Sequence, residues 1–145
     1  MKLINGLKAT NEEYITYEFF KSLQNKKIVK SIIFQPESFI LNKKVKFKNK
    51  ILTREHKYTT DFKIIWNKIN EINIINEKYN KKNFFYAQKI NNQIISYVEV
   101  KPTFDRYNMT RAFTTYIQPI MLLQNNIYVQ LFKPKSDIIK IKNFK

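Results

Sequence analysis

The sequence predicts a mixed α/β domain in which a central β-sheet is flanked by helices. Three observations predict it. Two stretches place apolar side chains at helical spacing, short runs rich in β-branched residues lie between them, and the length suits one compact core. At 145 residues and 43% hydrophobic composition, the chain is long enough for one core but short for two. We therefore expect residues 1–145 to form one domain, with a loose basic tail over residues 133–145.

The first helix is predicted to begin after Thr10 and to end near Gln24. Thr10 and Glu13 have the spacing of a capping box, in which each residue satisfies a backbone N–H of the other. Apolar residues then recur on one helical face at Ile15, Phe19 and Leu23.

From Ile28 onward the pattern changes to β. The predicted strands are 28–35, 59–66, and 84–89 with 93–101 as a hairpin turning at 91–92. Residues 38–41 and 45–48 are predicted to form a short strand or a hairpin around 42–44. Residues 67–82 are polar and form either a loop or a short helix. A second helix is predicted from Met109 to about Leu123, its apolar stripe being Phe113, Tyr116, Ile117, Ile120 and Leu123. A last strand over 127–132 completes the sheet.

Net charge is the strongest compositional signal. The chain carries 27 Lys+Arg against 11 Asp+Glu, a formal charge of +16. Frequent Lys, Asn and Ile are what an AT-rich genome produces, but that bias does not explain the shortage of acids. A polyanionic partner is therefore expected, and nucleic acid is favoured because no long basic amphipathic helix is visible.

Several site classes are excluded by composition. There is no cysteine, His56 is the only histidine and Gly6 the only glycine, which removes thiolate sites, multi-histidine zinc sites and glycine-rich phosphate loops. No apolar run approaches the roughly 20 residues that span a bilayer, and the N-terminal apolar segment is too short for a secretory signal. We expect no membrane contact and a cytoplasmic location, in the bacterial host if the gene is viral.

The candidate site combines Asp61 with Glu99 and Lys101. In a strand, alternate residues share a face, so Glu99 and Lys101 are expected to point the same way. Two carboxylates and one ammonium suit a divalent cation beside a phosphate, since carboxylate oxygens bind hard cations and the lysine neutralises phosphate charge.

Three segments resemble the PD-(D/E)XK nuclease superfamily. Thr10-x-x-Glu13 is similar to the Ser-x-x-Glu that opens the family's first helix, His56-Lys-Tyr-Thr-Thr-Asp-Phe62 resembles its Tyr-Thr-Pro-Asp-Phe segment, and Tyr97-Val-Glu-Val-Lys101 resembles its Glu-x-Lys strand. The likeness is greatest to phage Holliday-junction resolvases of the endonuclease I type, with RecU-like and TnsA-like nucleases more distant. Thr60 replaces the usual proline, Pro102 replaces a common glycine, and the gap from Asp61 to Glu99 is long.

The resemblance implies a restriction-endonuclease-like core and a set of roles. Asp61, Glu99 and Glu13 would bind Mg²⁺ or Mn²⁺ together with the carbonyl of Val100, and Lys101 would face the scissile phosphate. The implied activity is hydrolysis of DNA phosphodiesters, structure-selective for branched DNA, by a homodimer of phage or mobile-element origin. Residues that could contact phosphates are Arg54, Lys57, Lys63, Arg106 and Arg111.

Other interpretations remain open from the sequence. Glu13 has a structural role as the capping partner of Thr10, and Glu12 is an alternative source of the helix carboxylate. Glu-x-Lys also occurs as an ion pair on exposed strands. The rival functions are a nuclease for transposon end cleavage, repair or restriction, an RNA nuclease, and a basic nucleic-acid-binding module without catalysis.

Overall fold

The computed structural model describes residues 2–67, 85–104 and 107–142. Its elements in chain order are β1 (Lys2–Ile4), β2 (Leu7–Ala9), α1 (Asn11–Asn25), β3 (Val29–Phe34), β4 (Ser38–Asn42), β5 (Val45–Phe47), β6 (Lys50–Thr53), β7 (His56–Thr59), β8 (Phe62–Trp66), β9 (Gln88–Ile90), β10 (Gln93–Val100), α2 (Met109–Ala112), a π-helical segment (Phe113–Ile117), α3 (Gln118–Asn125), β11 (Val129–Phe132) and α4 (Pro134–Lys142). The predicted mixed α/β class is confirmed.

The central sheet has the strand order β11-β10-β8-β3, with β9 also paired to β10. Strand β10 is antiparallel to β8 and parallel to β11, so the sheet is mixed. Phe62, Ile64 and Trp66 alternate with Lys63 and Ile65 along β8, and both sets of apolar side chains are buried. Successive side chains of a strand point to opposite faces, so the burial of both sets means that the sheet is covered on both faces.

One face of the sheet packs against α1 and α4, and the other against β4, β7 and the helix from α2 to α3. Phe20 of α1 lies within 6.5 Å of the rings of Phe62 and Trp66 on the first face. On the second face, Phe39 of β4 makes an edge-to-face contact with Tyr97, with ring centroids 5.5 Å apart. The site described below lies where these two layers meet the end of β10.

The bounds and the capping box predicted for the first helix are confirmed, but Ile15 and Phe19 of the predicted apolar stripe are only partly buried. Glu13 donates its N–H to Thr10 Oγ1 at 3.1 Å, and Thr10 donates its N–H to Glu13 Oε1 at 2.8 Å. The buried face is centred on Thr16, Phe20 and Leu23. Thr16 is tolerated there because its hydroxyl donates to the Glu12 carbonyl at 2.8 Å.

The predicted hairpin around residues 42–44 is wrong. Strand β4 pairs with β7, and β5 and β6 form a separate hairpin between them. The turn lies instead at 48–49, where Lys48 adopts a left-handed φ of 55°. The hairpin at 91–92 is confirmed, with Asn91 and Asn92 at φ of 50° and 64°, values that asparagine tolerates.

The predicted strand over 59–66 is split in two. The chain leaves the small β4–β7 sheet after Thr59 and enters the central sheet at Phe62. Thr60, which is buried, and Asp61, which is partly buried, make the connection, and the Asp61 carbonyl accepts the Gln35 N–H at 2.8 Å. The break places Asp61 just before the start of β8, at the end of an interior strand instead of inside it.

The second helix extends from Met109 to Asn125, and its predicted apolar stripe is correct in part: Phe113 is buried, and Ile117 and Ile120 pack against the core. Tyr116 and Leu123 are 48% and 83% exposed, whereas Met121 is fully buried. Pro119 lacks an N–H and crowds the preceding turn, and the π-helical segment directly before it adds a residue to that turn. The extra residue rotates the following stripe away from simple helical spacing.

The prediction of a loose tail over residues 133–145 is wrong for residues 134–142, which form α4. Pro134 occupies the first turn, and the Lys133 N–H donates to Asp137 Oδ2 at 2.8 Å, so the helix start is capped. Ile138 and Ile141 pack against the core beside α1. The segment 67–82, predicted as a loop or a short helix, lies outside the described residues from 68 onward, as do residues 143–145.

No helix in the described ranges combines the length and apolar character that a membrane crossing requires.

Candidate active site

Asp61 and Glu99 meet despite their separation in the sequence. Strand β10 runs antiparallel to β8 with Val98 opposite Phe62, so the residues just before Phe62 lie beside those just after Val98. Asp61 Oδ2 accepts a hydrogen bond from the Val100 backbone N–H at 2.7 Å. In an extended strand the N–H and C=O of one residue point to the same side, so the Val100 carbonyl also faces Asp61.

Glu99 and Lys101 share a strand face, as the sequence predicted. Lys101 Nζ lies 2.7 Å from Glu99 Oε2, and the Glu99 residue is only 7% exposed. The Tyr58 hydroxyl on β7 donates to the other carboxylate oxygen, Oε1. Both oxygens of Glu99 therefore have a donor from within the protein, which stabilises a buried carboxylate.

Tyr58 is a site residue that sequence reasoning missed. It belongs to a different small sheet from Glu99, and burial together with the neighbouring Glu99 charge raises the pKa of its hydroxyl. The hydroxyl is therefore a hydrogen-bond donor at all ordinary pH values. Tyr58 stands at the tyrosine of the motif segment 56–62, but the motif does not indicate the contact with Glu99, because it joins two elements that are distant in the chain.

Glu13 contributes to the same cavity from the first turn of α1. Its carboxylate completes the capping box with Thr10 and also influences Asp61 through charge and a hydrogen bond. The structural role and the predicted place at the site are therefore compatible. Glu12 borders the cavity too, but its Oε1 lies 3.7 Å from Lys135 Nζ, in an ion pair on the α4 side.

These side chains line an open cavity of about 400 Å³. Its lining residues are Thr10, Glu12, Glu13, Asp61, Glu99, Val100, Lys101, Pro102, Phe104, Tyr107 and Met109. Phe104 and Tyr107 at the rim are 81% and 77% exposed. Acidic groups thus form the floor, and aromatic side chains open to solvent stand at the entrance.

Negative charge in the cavity is incompletely balanced. Burial, followed by the charges of Glu99 and Glu13, raises the pKa of Asp61 to about 8, and the Val100 N–H acts in the opposite direction. Lys101 supplies one positive charge beside three carboxylates. A cation entering the cavity would relieve this repulsion.

The donor chemistry of the cavity fits a divalent cation. Asp61, Glu99 and Glu13 offer carboxylate oxygens and Val100 a carbonyl, the oxygen ligands that Mg²⁺ and Mn²⁺ prefer. Within the described ranges, however, no three acidic or histidine side chains already stand in metal-binding geometry. Each Glu99 oxygen accepts one hydrogen bond, from Tyr58 or from Lys101, which leaves a second lone pair on each oxygen for a cation.

The predicted phosphate contacts divide into three groups. Arg54, Lys57 and Arg111 are exposed, although Lys57 has Glu55 3.8 Å away. Lys63 is largely enclosed, its Nζ lying 3.2 Å from Glu37 Oε1. Arg106 lies outside the described residues.

The single histidine, His56, and the single tryptophan, Trp66, have structural partners. His56 Nδ1 lies 2.8 Å from Asn42 Oδ1, which links β7 to β4. Trp66 is buried and donates its indole N–H to Ser96 Oγ at 2.9 Å. Neither side chain lines the cavity, so neither belongs to the candidate site.

No family model, curated protein or solved structure matches this chain. The observations that bear on function are therefore the residues of the cavity, their geometry and the motif resemblance. The decisive geometric fact is that the Asp61 and Glu99 segments are in direct contact.

Proposed function

We propose that the protein is a divalent-metal-dependent endodeoxyribonuclease with a PD-(D/E)XK site on a restriction-endonuclease-like core. One observation carries the proposal: Asp61, Glu99 and Lys101 line a single cavity, and Asp61 accepts a hydrogen bond from the backbone N–H of Val100, the residue between the other two. Asp61 precedes one sheet strand, while Glu99 and Lys101 lie at the end of the adjacent antiparallel strand. This is the arrangement that the motif resemblance requires.

The roles follow from the position of each group. Asp61, Glu99 and Glu13, with the Val100 carbonyl, would hold Mg²⁺ or Mn²⁺. Such an ion supplies an activated water and polarises the phosphate. Lys101 is oriented by Glu99 at 2.7 Å and supplies positive charge for a phosphate oxygen. Tyr58 fixes the Glu99 carboxylate from the opposite side, which keeps the Glu99–Lys101 pair in one orientation.

DNA is the proposed substrate because the chain carries a net charge of +16 while the cavity itself is acidic. A polyanion is attracted by the surface, and its phosphodiester is presented to the carboxylates. Within DNA, branched structures such as Holliday junctions are favoured by the resemblance. Resolution needs two opposed cuts, so a homodimer is proposed, in a phage or mobile-element setting within the bacterial cytoplasm.

The second candidate function is a basic nucleic-acid-binding module without catalysis. It is favoured by the hydrogen bonds that the carboxylates accept from within the protein. Tyr58 and Lys101 donate to Glu99, and the Val100 N–H donates to Asp61. A site that has lost its metal could be stabilised in this way. Cleavage separates the two candidates, since only the nuclease needs Lys101 for chemistry.

The test is incubation of a labelled four-way junction, a linear duplex and a single strand with Mg²⁺, Mn²⁺ or EDTA. Wild type is compared with Lys101→Ala and with Lys21→Ala, an exposed α1 control. Metal-dependent cleavage by wild type and by the control, but not by Lys101→Ala, supports the nuclease. Paired cuts at the crossover support junction resolution, and cuts in other substrates identify another nuclease task. Tight, salt-sensitive binding without any cleavage supports the binding module.

A further inference from the structure

The hairpin formed by β5 and β6 is here called the basic arm, and none of its side chains belongs to the core of the described residues. Among the described strands, its two members pair only with each other. Every residue from 43 to 52 is exposed. The arm nevertheless carries large apolar side chains, including Val45, Phe47 and Leu52 at 49%, 61% and 60% exposure. Apolar surface that is neither buried nor needed for the core indicates contact with a partner.

The charge of the arm identifies the chemistry of that partner. Its lysines are Lys43, Lys44, Lys46, Lys48 and Lys50. No acidic residue occurs between Glu37 and Glu55, so this positive charge has no counter-charge along the arm. At the tip, Lys48 Nζ lies 5.5 Å from the centre of the Phe47 ring, so cationic and apolar groups are presented together. A partner must offer both repeated negative charge and apolar surface.

The attachment of the arm connects it to the candidate active site. The arm continues from β4 and returns into β7, whose Tyr58 donates to Glu99 in the cavity. From Lys50 to Asp61 the chain can extend by at most roughly 40 Å, at about 3.6 Å per residue. One turn of B-DNA is about 34–36 Å, so a bound arm lies within little more than one turn of the cavity.

We propose that the basic arm binds the major groove of duplex DNA beside the phosphodiester presented to the cavity. A two-stranded β-ribbon fits this groove, which is about 12 Å wide. The lysines lie against the phosphates on both sides, and Phe47 contacts apolar base and sugar surface at the tip. A second copy of the chain is disfavoured as the occupant, because it presents the same excess of lysine. This inference rests on the proposed function and deepens it, because it requires the DNA substrate to be double-stranded beside the cleaved phosphodiester.

The test measures binding separately from cleavage. Lys46, Lys48 and Lys50 are changed together to Gln, and the matched control changes the exposed Lys21, Lys26 and Lys140 to Gln, which removes the same charge from the two helices on the other face of the sheet. Binding to a fluorescent 20-base-pair duplex is followed by anisotropy in EDTA over a range of salt concentrations. The arm variant is expected to flatten the slope of log K against log salt by about 2.7, at roughly 0.9 per lost phosphate contact.

The control variant is expected to change this slope by less than about 0.9, the value for one lost phosphate contact. Phe47→Ser should weaken binding several-fold at every salt concentration without changing the slope, because it removes apolar contact and no charge. Both arm variants should melt at the wild-type temperature, since the arm is outside the core. Equal slopes for the arm and control variants would overturn the proposal. If light scattering showed that the arm variants change the oligomeric state while DNA binding is unchanged, the proposal would be overturned, and the arm would bind a second copy of the chain.

Cleavage by wild type, measured in parallel with Mg²⁺, keeps the two proposals distinguishable. If wild type cleaves DNA while the arm variant binds and cleaves normally, the arm proposal fails and the nuclease remains. If the arm variant loses duplex binding while wild type never cleaves, the arm proposal is supported and the nuclease fails.

Discussion

The backbone N–H of Val100 donates a 2.7 Å hydrogen bond to Oδ2 of Asp61. This bond joins the residue that precedes β8 to the residue between Glu99 and Lys101 near the end of β10. Since the side chains of Glu99 and Lys101 lie on one face of the strand, the backbone bond sets the distance from Asp61 to both. It also lowers the cost of burying the Asp61 carboxylate, without cancelling it.

Asp61→Asn is expected to stabilise the protein at pH 8. The pKa of Asp61 is raised to about 8 in the folded state, first by burial and then by Glu99. The folded protein therefore binds this proton more tightly than the unfolded chain, so stability falls as pH rises from about 4 to about 8. Asparagine keeps an oxygen for the Val100 N–H but carries no charge.

Thermal melts of wild type and Asp61→Asn across this pH range measure the effect. The variant should melt roughly 3 °C or more above wild type at pH 8, corresponding to about 1 kcal/mol for a chain of this size. The difference should shrink toward zero near pH 4, where wild-type Asp61 is protonated in both states. A constant difference at all pH values would mean that the substitution acts through packing and not through charge.

The parts of the fold that were predicted correctly depend on local signals. The Thr10–Glu13 capping box and the Asn91–Asn92 turn lie within a few residues, so neighbouring side chains decide them. The start of α4 at Pro134 and Asp137 carried a comparable signal, and the basic composition of the tail obscured it.

The incorrect predictions involve contacts between distant segments. Thr59 and Phe62 belong to different sheets because the two segments pack in different layers, which the uninterrupted β pattern does not reveal. Pro119 marked the π-helical segment, but its effect on the buried stripe depends on what the helix packs against. The meeting of Asp61 with Glu99 was predicted from motifs, whereas the motif that contains Tyr58 does not indicate its contact with Glu99.

A divalent cation is expected to raise the melting temperature of wild type at pH 8. Binding to the folded state alone stabilises it by about 2.7 kcal/mol at one hundred times the Kd. The shift should be much smaller for Asp61→Asn, which removes one carboxylate from the cavity. Glu18→Gln, which changes an exposed acid on α1, is the control and should keep the wild-type shift. Equal shifts in all three proteins would place the cation elsewhere.

Glu13→Gln and Glu12→Gln separate the two candidate helix carboxylates. Glutamine at position 13 can still accept the Thr10 N–H, so the capping box and the helix should survive. The lost charge should lower the pKa of Asp61 and reduce metal-dependent cleavage by roughly tenfold or more.

Glu12→Gln removes only an ion pair with Lys135, a partly exposed contact, so cleavage should stay within about twofold. Cleavage rates at saturating metal, with melting temperatures for both variants, measure the difference. The reverse order would assign the role to Glu12.

Tyr58→Phe tests whether the hydroxyl on Glu99 orients the site. Removing a donor from a buried carboxylate costs about 1.5–3 kcal/mol, and here the freed Glu99 oxygen can turn away from the cavity. Cleavage should fall by about tenfold, and the metal concentration for half-maximal rate should change. Tyr97→Phe is the matched control, since its hydroxyl donates at 3.0 Å to Glu37, outside the cavity lining. That variant should cleave at the wild-type rate with the wild-type metal dependence. If both variants lose stability equally and neither changes the metal dependence, Tyr58 supports the packing of β7 and does not position Glu99.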